Sequence, residues 1–406
     1  MKIVIIGCGA GGGTSAQFAR KTNRNAEIIL YDREGYGQYS KCALPFVISG
    51  KEWKDIIEFP PEWFKKNGIE YRNEEIYKIN FDGGIVEGEK DEEFDVLIVA
   101  SGAEPYSPFE AIDVYFFRTI KDAIEVKNVA SKSESAVIVG AGLVGLEVAE
   151  SLFNLGINVT VLEYMPYILP SMLERDMADY VMKKIPVEIK LNCMVEEAEG
   201  GRVFAGEEYK ADFVICATGN KPNSFNTEPI KVDERCMAFE NVYACGDCTQ
   251  IKDFFGRYVN VGLGSISARQ GRVAGINAGG GNEFMLPPLF SKTTKIFGIE
   301  IASTGLLSHE IEGVYARYAG KDLPHYMNGE EIVVKIIADK EGKLVGCQAI
   351  GRGASKIIDR IALAIYNGMN VEEISRIENA YAPAVAPTFD AVEIACEMIE
   401  RKLKRN

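Results

Sequence analysis

One pattern occurs twice in this chain of 406 residues. Each copy has a short apolar run, a glycine-rich turn, the start of a helix, a second apolar run and an acidic residue. In the first copy these are Lys2–Ile6, Gly7–Gly13, a helix over Ala16–Lys21, Ala26–Tyr31 and Asp32. In the second copy they are Ser135–Val139, Gly140–Gly145, a helix from Leu146, Val159–Leu162 and Glu163. Because strands that alternate with helices form parallel sheets, an α/β chain with two nucleotide-binding domains is predicted.

Both turns have the spacing Gly-x-Gly-x-x-Gly. The first glycine permits a tight turn, the second lets a pyrophosphate approach a helix N-terminus, and the third allows the helix to pack closely on the strand. Such a spacing alone also occurs in plain turns, but here each copy has its strand, helix and acidic end. The predicted dinucleotide-binding residues are Gly7, Gly9, Ala10, Gly11 and Gly12 in the first turn and Gly140, Gly142 and Gly145 in the second.

The acidic residue that ends each copy is placed to bind a ribose. Asp32 lies 20 residues beyond Gly12, and Glu163 lies 18 residues beyond Gly145. A carboxylate at this distance accepts hydrogen bonds from ribose hydroxyls. At the second site the acid also repels a 2′-phosphate, and no arginine occurs in residues 164–166. The second site is therefore predicted to favour NADH, with NADPH still possible.

Two further segments repeat each other downstream of the turns. Residues 94–100 and 213–218 are apolar strands, and each is followed closely by a glycine and a proline. Ser101, Gly102 and Gly219 in these segments are predicted to contact cofactor. A later strand ends in Gly246-Asp247, where a carboxylate can bond the ribityl chain of a flavin. Two dinucleotides in one chain indicate a hydride donor and a flavin acceptor, here NADH and FAD.

The composition argues against several other classes of protein. Asp and Glu outnumber Lys and Arg by 59 to 45, and a net charge of −14 disfavours nucleic-acid binding, which needs a basic face. No apolar run approaches the roughly 18 residues of a membrane helix, and the apolar start is too short for a signal peptide. Nine scattered cysteines are typical of a reduced intracellular protein. We therefore expect a cytoplasmic protein that binds neither membranes nor nucleic acids.

The order of the motifs resembles that of the FAD-dependent pyridine nucleotide–disulfide oxidoreductases. The motifs are GxGxxG, ASGAEP, GxGxxGxE, ATGNKP and YACGD, followed in the C-terminal third by SKTTKIF, VGCQAIG and AYAP. The similarity covers essentially the whole chain. It implies an FAD domain over 1–108 and 240–285, interrupted by an NAD(P)H domain over 109–239. It also implies an α+β dimerisation domain over 286–406, and hence a homodimer.

Within that family, YSKCALPF at residues 39–46 resembles the single-cysteine segment of NADH oxidases, NADH peroxidases and coenzyme A-disulfide reductases. Cys42 is the predicted redox-active residue. It follows Lys41 and precedes a predicted helical turn, and both a cation and a helix N-terminus lower the pKa of a thiol. Val47 stands where disulfide reductases have a second cysteine. Cys42 therefore needs a mixed disulfide with a small thiol, a persulfide, or oxidation to a sulfenic acid.

The resemblance also indicates other site residues, each of which has an ordinary structural interpretation. Tyr381 and Tyr326 could donate protons at Cys42 of the partner subunit, although tyrosines more often lie in cores. Glu147 matches a family glutamate near the flavin–nicotinamide junction. Cys245 and Cys248 have the spacing of metal ligands, but with no second CxxC and only two histidines no metal site is predicted. The cysteines predicted to serve only packing are Cys8, Cys193, Cys216, Cys236, Cys347 and Cys396.

These features predict an FAD-dependent NAD(P)H oxidoreductase that reduces a small-molecule disulfide, persulfide or polysulfide. The alternatives are an NADH oxidase and an NADH-dependent electron donor to a partner redox protein. Ala10 stands where peroxidases and many oxidases of the branch have a histidine, so hydrogen peroxide is the expected product of any oxygen reduction. Ala384 replaces a common second proline, and residues 395–397 lack an aromatic found in some coenzyme A-disulfide reductases. Coenzyme A itself is therefore in doubt as the substrate thiol.

Overall fold

The computed structural model describes residues 1–225 and 228–405, and these form two compact units. The first unit consists of the described residues within 1–108, 115–133 and 218–288. The second consists of those within 109–114, 134–217 and 289–406. Each unit is thus assembled from segments that are distant in sequence.

Ten α-helices occur in the described residues. In chain order, α1 to α10 are Ala10–Thr22, Leu44–Ile48, Pro61–Lys66, Ile120–Ala130, Leu143–Asn154, Arg175–Met182, Gly264–Ala278, Ala354–Tyr366, Val371–Ile374 and Ala391–Leu403. Short 3₁₀ helices cover Lys41–Ala43, Trp53–Ile56, Ser308–Glu310 and His325–Met327.

The same residues contain thirty β-strands. Strands β1 to β15 are Lys2–Ile6, Glu27–Tyr31, Gln38–Tyr39, Ile57–Phe59, Glu70–Arg72, Lys78–Asn80, Ile85–Glu87, Glu92–Glu93, Val96–Val99, Ala103–Pro105, Glu110–Ile112, Tyr115–Phe116, Ser135–Val139, Asn158–Leu162 and Glu188–Lys190. Strands β16 to β30 are Glu197–Glu199, Arg202–Phe204, Glu208–Lys210, Phe213–Cys216, Asn220–Pro222, Ile230–Lys231, Met237–Phe239, Val242–Ala244, Thr249–Lys252, Tyr258–Asn260, Lys292–Ile296, Ile299–Gly305, Gly313–Lys321, Glu331–Asp339 and Leu344–Ile350.

The main sheet of the first unit has the strand order β22-β23-β9-β1-β2-β5. Its central strand β1 pairs in parallel with β2, Ile3 opposite Ile28, and with β9, Ile3 opposite Val96. All of Ile3–Ile6 is buried, as expected of a strand covered on both faces. The sheet order places the carboxyl end of β1 beside the point where the strand order reverses, which is where nucleotides bind in such sheets.

Helices α1 and α7 of the first unit pack against each other through glycines. Gly271 and Gly275 of α7, and Gly279 at its C-cap, recur every four residues and therefore share one face. A Cβ added at Gly271 would overlap the carbonyl oxygen of Gly11, and one added at Gly275 would overlap that of Ser15. The two helix backbones are thus too close to admit any side chain at these crossing points.

The second unit contains a four-strand parallel arrangement and an antiparallel sheet. The parallel strands have the order β19-β13-β14-β15, with Val137 opposite both Thr160 and Val214. The antiparallel sheet has the order β26-β27-β30-β29-β28. Helices α8 and α10 pack against this sheet. The predicted architecture is confirmed: two nucleotide-binding sheets and a C-terminal α+β region.

Both glycine-turn helices begin earlier than the sequence predicted. Helix α1 starts at Ala10 rather than Ala16, and α5 starts at Leu143 rather than Leu146. The later helix starts were predicted because glycine has a low helix propensity. Gly9 and Gly142 occupy the N-cap positions, so each helix begins directly after the second glycine of its turn.

The boundaries of the two compact units differ from the predicted domain boundaries. The described residues within 115–133 and 218–239 lie in the first unit, whereas the prediction gave these ranges to the NAD(P)H domain. Met237–Phe239 pairs with β23 in the main sheet of the first unit, which accounts for part of the difference. The four-segment division by cofactor stays a prediction. In the described part of the chain, no helix is both long and apolar enough to cross a membrane.

Candidate active site

The first glycine turn has one distinct physical requirement at each glycine. Gly7 has φ +97°, a conformation that side chains rarely adopt. A Cβ at Gly12 would overlap the carbonyl oxygen of Gly7, so only glycine allows α1 this close to the strand. Gly9 differs, since no described atom lies within 4 Å of where its Cβ would be. This open space lies at the N-terminus of α1, beside Ala10, and fits the approach of a pyrophosphate.

The second turn repeats this geometry. Gly140 has φ +108°, and a Cβ at Gly145 would overlap the carbonyl oxygen of Gly140. No described atom lies within 4 Å of a Cβ placed at Gly142, the N-cap of α5. The residues present in both turns therefore fit a dinucleotide.

The acidic residue of each copy is fixed by backbone amides. The Asp32 carboxylate accepts hydrogen bonds from the Glu34 and Gly37 amides, at 3.1 and 3.0 Å, and from the Tyr71 hydroxyl. The Glu163 carboxylate accepts from the amides of Ala141 and Met165, at 2.6 and 2.7 Å. A carboxylate has about four acceptor positions, so both acids keep capacity for a ribose hydroxyl.

Burial affects the first acid strongly. Desolvation raises the pKa of Asp32, while its hydrogen bonds from Tyr71 and Gly37 oppose that shift. Asp32 is 6% exposed and sits at the end of β2, where the main sheet of the first unit meets the glycine turn.

The repeated strand–glycine segments come together in the first unit. Their β10 and β20 pair in antiparallel fashion, Ala103 opposite Pro222. The Asn223 amide donates to the Gly102 carbonyl at 2.9 Å, and the Ser101 hydroxyl donates to the Asn223 carbonyl. Gly219 accepts at its carbonyl from the Tyr106 amide at 3.0 Å. Three of the predicted cofactor residues, Ser101, Gly102 and Gly219, therefore belong to one local structure.

Asp247 is held by an arginine that the sequence prediction missed. A terminal nitrogen of Arg118 donates to Asp247 Oδ2 at 2.8 Å, and Arg118 Nε donates to the Ala103 carbonyl at 2.6 Å. Gly246 donates its amide to the Gln270 side chain at 2.8 Å. Arg118 is followed by a complete capping box at Thr119 and Asp122, which was the available sequence signal for an ordered turn here.

Cys42 lies in the 3₁₀ turn Lys41–Ala43 that leads into α2, and its side chain is exposed. The predicted helical turn after it is confirmed, with Pro45 in its first positions. The Lys41 ammonium donates to Glu34 Oε1 at 2.9 Å, so its charge is shared with a carboxylate. The lowered pKa of the Cys42 thiol stays a prediction.

Gly264, the first residue of α7, borders the Cys42 sulfur. A Cβ added at Gly264 would lie 3.8 Å from Cys42 Sγ, with no other described atom within 4 Å. The backbone of Gly264 is not in the left-handed region, so its conformation does not demand glycine. The missing side chain leaves open space beside the thiol and the N-terminus of a 15-residue helix.

The other cysteines differ from Cys42 in exposure. Cys193 is partly exposed and the remaining seven are buried. Burial raises the pKa of Cys248 to about 11 and also raises that of Cys245, so neither forms a thiolate readily. Among the described residues no group of three or more His, Cys, Asp or Glu side chains could hold a metal. Cys245 also packs on the first turn, 3.0 Å from a Cβ placed at Gly11.

Tyr326 and Tyr381 meet in the second unit. The neighbouring phenol of Tyr381 raises the pKa of Tyr326. Both phenols are more than half exposed, at 58% and 53%. The sequence proposed each tyrosine separately, and the structure brings the two into contact.

Glu147 is on the face of α5 that packs on β26. Thr294 Oγ1 donates to Glu147 Oε1 at 2.6 Å. Burial raises the pKa of Glu147, and the bond from Thr294 opposes the shift. Glu147 is therefore partly buried and hydrogen-bonded to a neighbouring strand rather than fully solvated. Thr294 is part of the SKTTKIF segment, but the sequence gave it no role.

Comparisons with known proteins agree over the whole chain. The family described as pyridine nucleotide-disulphide oxidoreductase matches residues 1–271, and its dimerisation domain matches residues 291–392. A protein named NADH oxidase from Methanocaldococcus jannaschii is 33% identical, with 99% of each chain covered.

Two further similarities concern sulfur chemistry. A Pyrococcus abyssi protein named NAD(P)H sulfur oxidoreductase (CoA-dependent) is 32% identical, with 98% of each chain covered. The solved structure of an NAD-dependent persulfide reductase from A. fulgidus is 29% identical and superposes with a TM-score of 0.95. That similarity covers all of this chain and 84% of the other.

Proposed function

Since the chain belongs to the pyridine nucleotide-disulphide oxidoreductases and is an FAD-dependent NAD(P)H oxidoreductase, we propose that it reduces a small-molecule disulfide, persulfide or polysulfide through Cys42. The observation that carries this proposal is the position of Cys42. Its thiol is the exposed one of the nine, it lies beside the N-terminus of α7, and Gly264 leaves the space next to it open. The sulfur oxidoreductase and persulfide reductase relatives support the same substrate class.

In the proposed reaction the Cys42 thiolate attacks one sulfur of the substrate. A bond forms between the Cys42 sulfur and that atom, the substrate S–S bond breaks, and the second sulfur leaves as a thiolate or polysulfide anion. When bound, FAD would supply two electrons from NAD(P)H for cleavage of the mixed disulfide, which restores the Cys42 thiolate and releases the captured sulfur as a second thiolate or as sulfide. Positive partial charge at the start of α7 stabilises the anionic sulfur in both steps.

The leaving sulfur needs a proton, and the tyrosine pair supplies it in this proposal. A phenol of Tyr326 or Tyr381 donates its proton to the departing thiolate and regains one from water. Because Tyr381 lies next to Tyr326 and raises its pKa, either phenol can stabilise charge that develops on the other during the transfer. The proton donors belong to the second unit and, as the family resemblance implies, would act on Cys42 of the partner subunit.

The pairing of sites with cofactors is also part of the proposal. We assign the turn at Gly7–Gly12, with Asp32, Ser101, Gly102, Gly246 and Asp247, to FAD. We assign Gly140–Gly145 and Glu163 to NADH, and place Glu147 near the nicotinamide. The carboxylate of Glu163 disfavours the 2′-phosphate of NADPH by charge repulsion. Gly219, which lies in the first unit, goes with the FAD residues rather than with the NADH turn.

Further parts of the proposal concern assembly and location. A dimerisation domain matches residues 291–392, and the chain there exposes Ile377, Val385 and Phe389, which supports a homodimer. The net charge of −14 supports a protein without nucleic-acid partners. A reducing cytoplasm suits an enzyme whose catalytic group is an exposed thiol.

A second function has one specific observation in its favour. The Methanocaldococcus jannaschii relative is named an NADH oxidase, so reduced flavin could pass its electrons to oxygen. Ala10 has no group that could hand a proton to a bound peroxide. Under this alternative the product would be hydrogen peroxide, and Cys42 would be dispensable for turnover.

The first test is intact mass spectrometry of the non-reduced protein, repeated after a reducing agent. The proposal expects either the loss of a small thiol that maps to Cys42, or an unmodified Cys42 that becomes persulfidated when polysulfide is added. Cys42→Ser should abolish disulfide and polysulfide turnover and leave flavin reduction by NADH intact. Cys193→Ser, at the partly exposed cysteine, is the matched control and should keep full turnover. Disulfide turnover that survives Cys42→Ser would refute the thiolate mechanism.

A further inference from the structure

The two tyrosines of the second unit are carried by two exposed loops. Tyr326 is in the loop of residues 322–330, which joins β28 to β29. Tyr381 is in the loop of residues 379–390, which leads into α10. Tyr326 is in the short 3₁₀ helix His325–Met327 within the first loop, and the two phenols stay next to each other only if both loops keep their shapes.

Arg352 closes the two ends of the first loop. Its Nε donates to Asp322 Oδ2 at 2.8 Å, and one terminal nitrogen forms an ion pair with the same oxygen at 2.6 Å. Another terminal nitrogen lies 3.9 Å from a carboxylate oxygen of Glu330. Asp322 Oδ1 in turn accepts from the Glu330 amide at 2.6 Å. The Asp322 amide also donates to the Glu330 carbonyl at 3.0 Å. One guanidinium therefore ties both ends of the Tyr326 loop.

Arg360 binds two residues of the second loop, one on each side of Tyr381. One terminal nitrogen donates to Asn379 Oδ1 at 3.0 Å and to Asp390 Oδ2 at 2.7 Å, and the other donates to Asp390 Oδ1 at 3.1 Å. Asn379 is the fifth residue after α9 and Asp390 is the last before α10, so the two contacts lie on either side of Tyr381. Asp390 Oδ1 also accepts from the Val392 and Glu393 amides and so caps α10.

Both arginines rest on one rigid element. Arg360 is in the middle of α8 and Arg352 lies two residues before its start, and α8 packs on β27 and β30 of the antiparallel sheet. We propose that Arg352 and Arg360 are positioning residues that clamp the two tyrosine loops and thereby hold Tyr326 and Tyr381 together as one proton-donating pair. This inference rests on the proposed function, since it assumes that the tyrosines protonate the leaving sulfur.

Each clamp needs a side chain that has several N–H donors in one plane. Exposed ion pairs alone contribute little, about 0–1 kcal/mol, but a planar guanidinium that bonds two groups at once fixes their separation. Ordering a loop costs backbone entropy for each residue that is fixed. The clamp contacts offset part of this loss of backbone entropy before substrate binds. The phenols therefore need no reorganisation during turnover.

The test uses two disulfides that differ in how much their leaving sulfur needs a proton. The disulfide of 2-mercaptoethanol releases a basic alkyl thiolate, whereas 5,5′-dithiobis(2-nitrobenzoate) releases a stable aryl thiolate. General acid catalysis contributes about 10²–10⁴-fold to such a step. We expect Arg360→Gln to lower kcat about tenfold or more with the alkyl disulfide and less than twofold with the aryl disulfide. Tyr381→Phe should show the same selectivity.

Three further variants separate the clamp from plain folding effects. Arg360→Lys keeps the charge but cannot fork to both ends of the loop, so it should behave like Arg360→Gln. Asp390→Asn keeps a good cap for α10 while removing the ion pair, and should show the same selective loss with an unchanged thermal unfolding midpoint. Arg401→Gln removes an arginine that pairs within its own helix with Glu397, and should leave both activities unchanged.

The outcomes distinguish this inference from the proposed function. Three results would overturn the clamp: an equal loss with both disulfides, no loss in Arg360→Gln, or full activity in Arg360→Lys. If Tyr381→Phe still loses activity only with the alkyl disulfide, Tyr381 remains a proton donor in each case. If Tyr381→Phe shows no selectivity, the proton-donor role fails and the clamp inference with it. Turnover of the alkyl disulfide by Cys42→Ser would instead refute the proposed function itself.

Discussion

The turn at Gly7–Gly12 and the turn at Gly140–Gly145 use their glycines in the same way but differ in what packs on the helix that follows. Their first glycines have φ +97° and +108°, their second glycines face open space, and their third glycines exclude any Cβ. Helix α1 then continues with Gly11–Gly13, which are all buried. The glycines of α7 pack directly on its backbone. Helix α5 instead continues with larger side chains, and Val144 is 39% exposed.

This difference suits two kinds of ligand. A glycine turn whose helix is packed against a second helix is held rigidly, which favours a cofactor that stays bound through many turnovers. A turn with one exposed flank favours a cosubstrate that must enter and leave in every cycle. The first copy thus suits FAD and the second suits NAD(P)H. The common glycine pattern alone does not make this distinction.

The largest expected effects come from the third glycines. In Gly12→Ala and Gly145→Ala the new Cβ would overlap a backbone oxygen, so helix and strand must separate at a cost of about 3 kcal/mol or more. Gly12→Ala should lose FAD, and Gly145→Ala should keep FAD but lose its reduction by NADH. Flavin absorbance after gel filtration and stopped-flow reduction would show this. Gly9→Ala and Gly142→Ala are matched controls that should fold normally and lose only binding. Loss of FAD from Gly145→Ala would contradict the assignment of the turns.

The next effect concerns the glycine row between α1 and α7. Gly271→Ala should lower the free energy of unfolding of the first unit by about 1–3 kcal/mol, because its Cβ would overlap Gly11. Faster FAD release should accompany the loss, measured by urea unfolding and by flavin fluorescence. Gly262→Ala has no described atom within 4 Å of the new Cβ and is the control. Unchanged FAD release in Gly271→Ala would show that the packing of α7 does not retain the cofactor.

A smaller effect is expected from the acid of the second copy. Glu163→Gln removes the charge that repels a 2′-phosphate, so the ratio of kcat/KM for NADPH to that for NADH should rise about tenfold, or 1.4 kcal/mol. Steady-state kinetics with both nucleotides measure the ratio. Asp32→Asn, the equivalent change in the first copy, should leave it unaltered. If Asp32→Asn changes the ratio and Glu163→Gln does not, the two cofactor assignments are reversed.

The smallest effect is a pH dependence of stability from Glu147, a helix glutamate that the first copy lacks. Glu147 is two residues after the third glycine, where α1 has Thr14. Because burial raises the folded-state pKa of Glu147 above its ordinary value of 4.5, the folded protein binds the extra proton just above that pH. Stability relative to Glu147→Gln should therefore fall as pH rises upward from 4.5. Urea unfolding at several pH values measures this. A relative stability that rises with pH would contradict the shift.

The fold was largely predictable because its signals are local. Strands β1 and β13 have the predicted bounds, since each is an apolar run ended by a glycine of special conformation. The helix starts were wrong because glycine disfavours helices in isolation, and only the packing of α1 and α5 on their sheets compensates for that preference.

The candidate site was predictable only in part. Cys42 and the glycines are recognisable from their neighbours in sequence. Arg118 is 129 residues from Asp247, and Gly264 is far along the chain from Cys42, so no local pattern links them. The same holds for Thr294 and Glu147, which are 147 residues apart. Residues that act through such distant partners become visible only when the chain is folded.

The glycine row between α1 and α7 also constrains the order in which the protein can fold during synthesis. Asn23, just after α1, donates a hydrogen bond to Gly279, 256 residues later. Contacts this distant form slowly, since loop-closure entropy must be overcome first. The parallel strands β13, β14 and β19 lie within residues 134–217, so they can assemble while the ribosome is still making α7. We therefore expect the parallel strands around the second glycine turn to form before α7 packs on α1 behind the first turn. FAD would bind after that packing is complete.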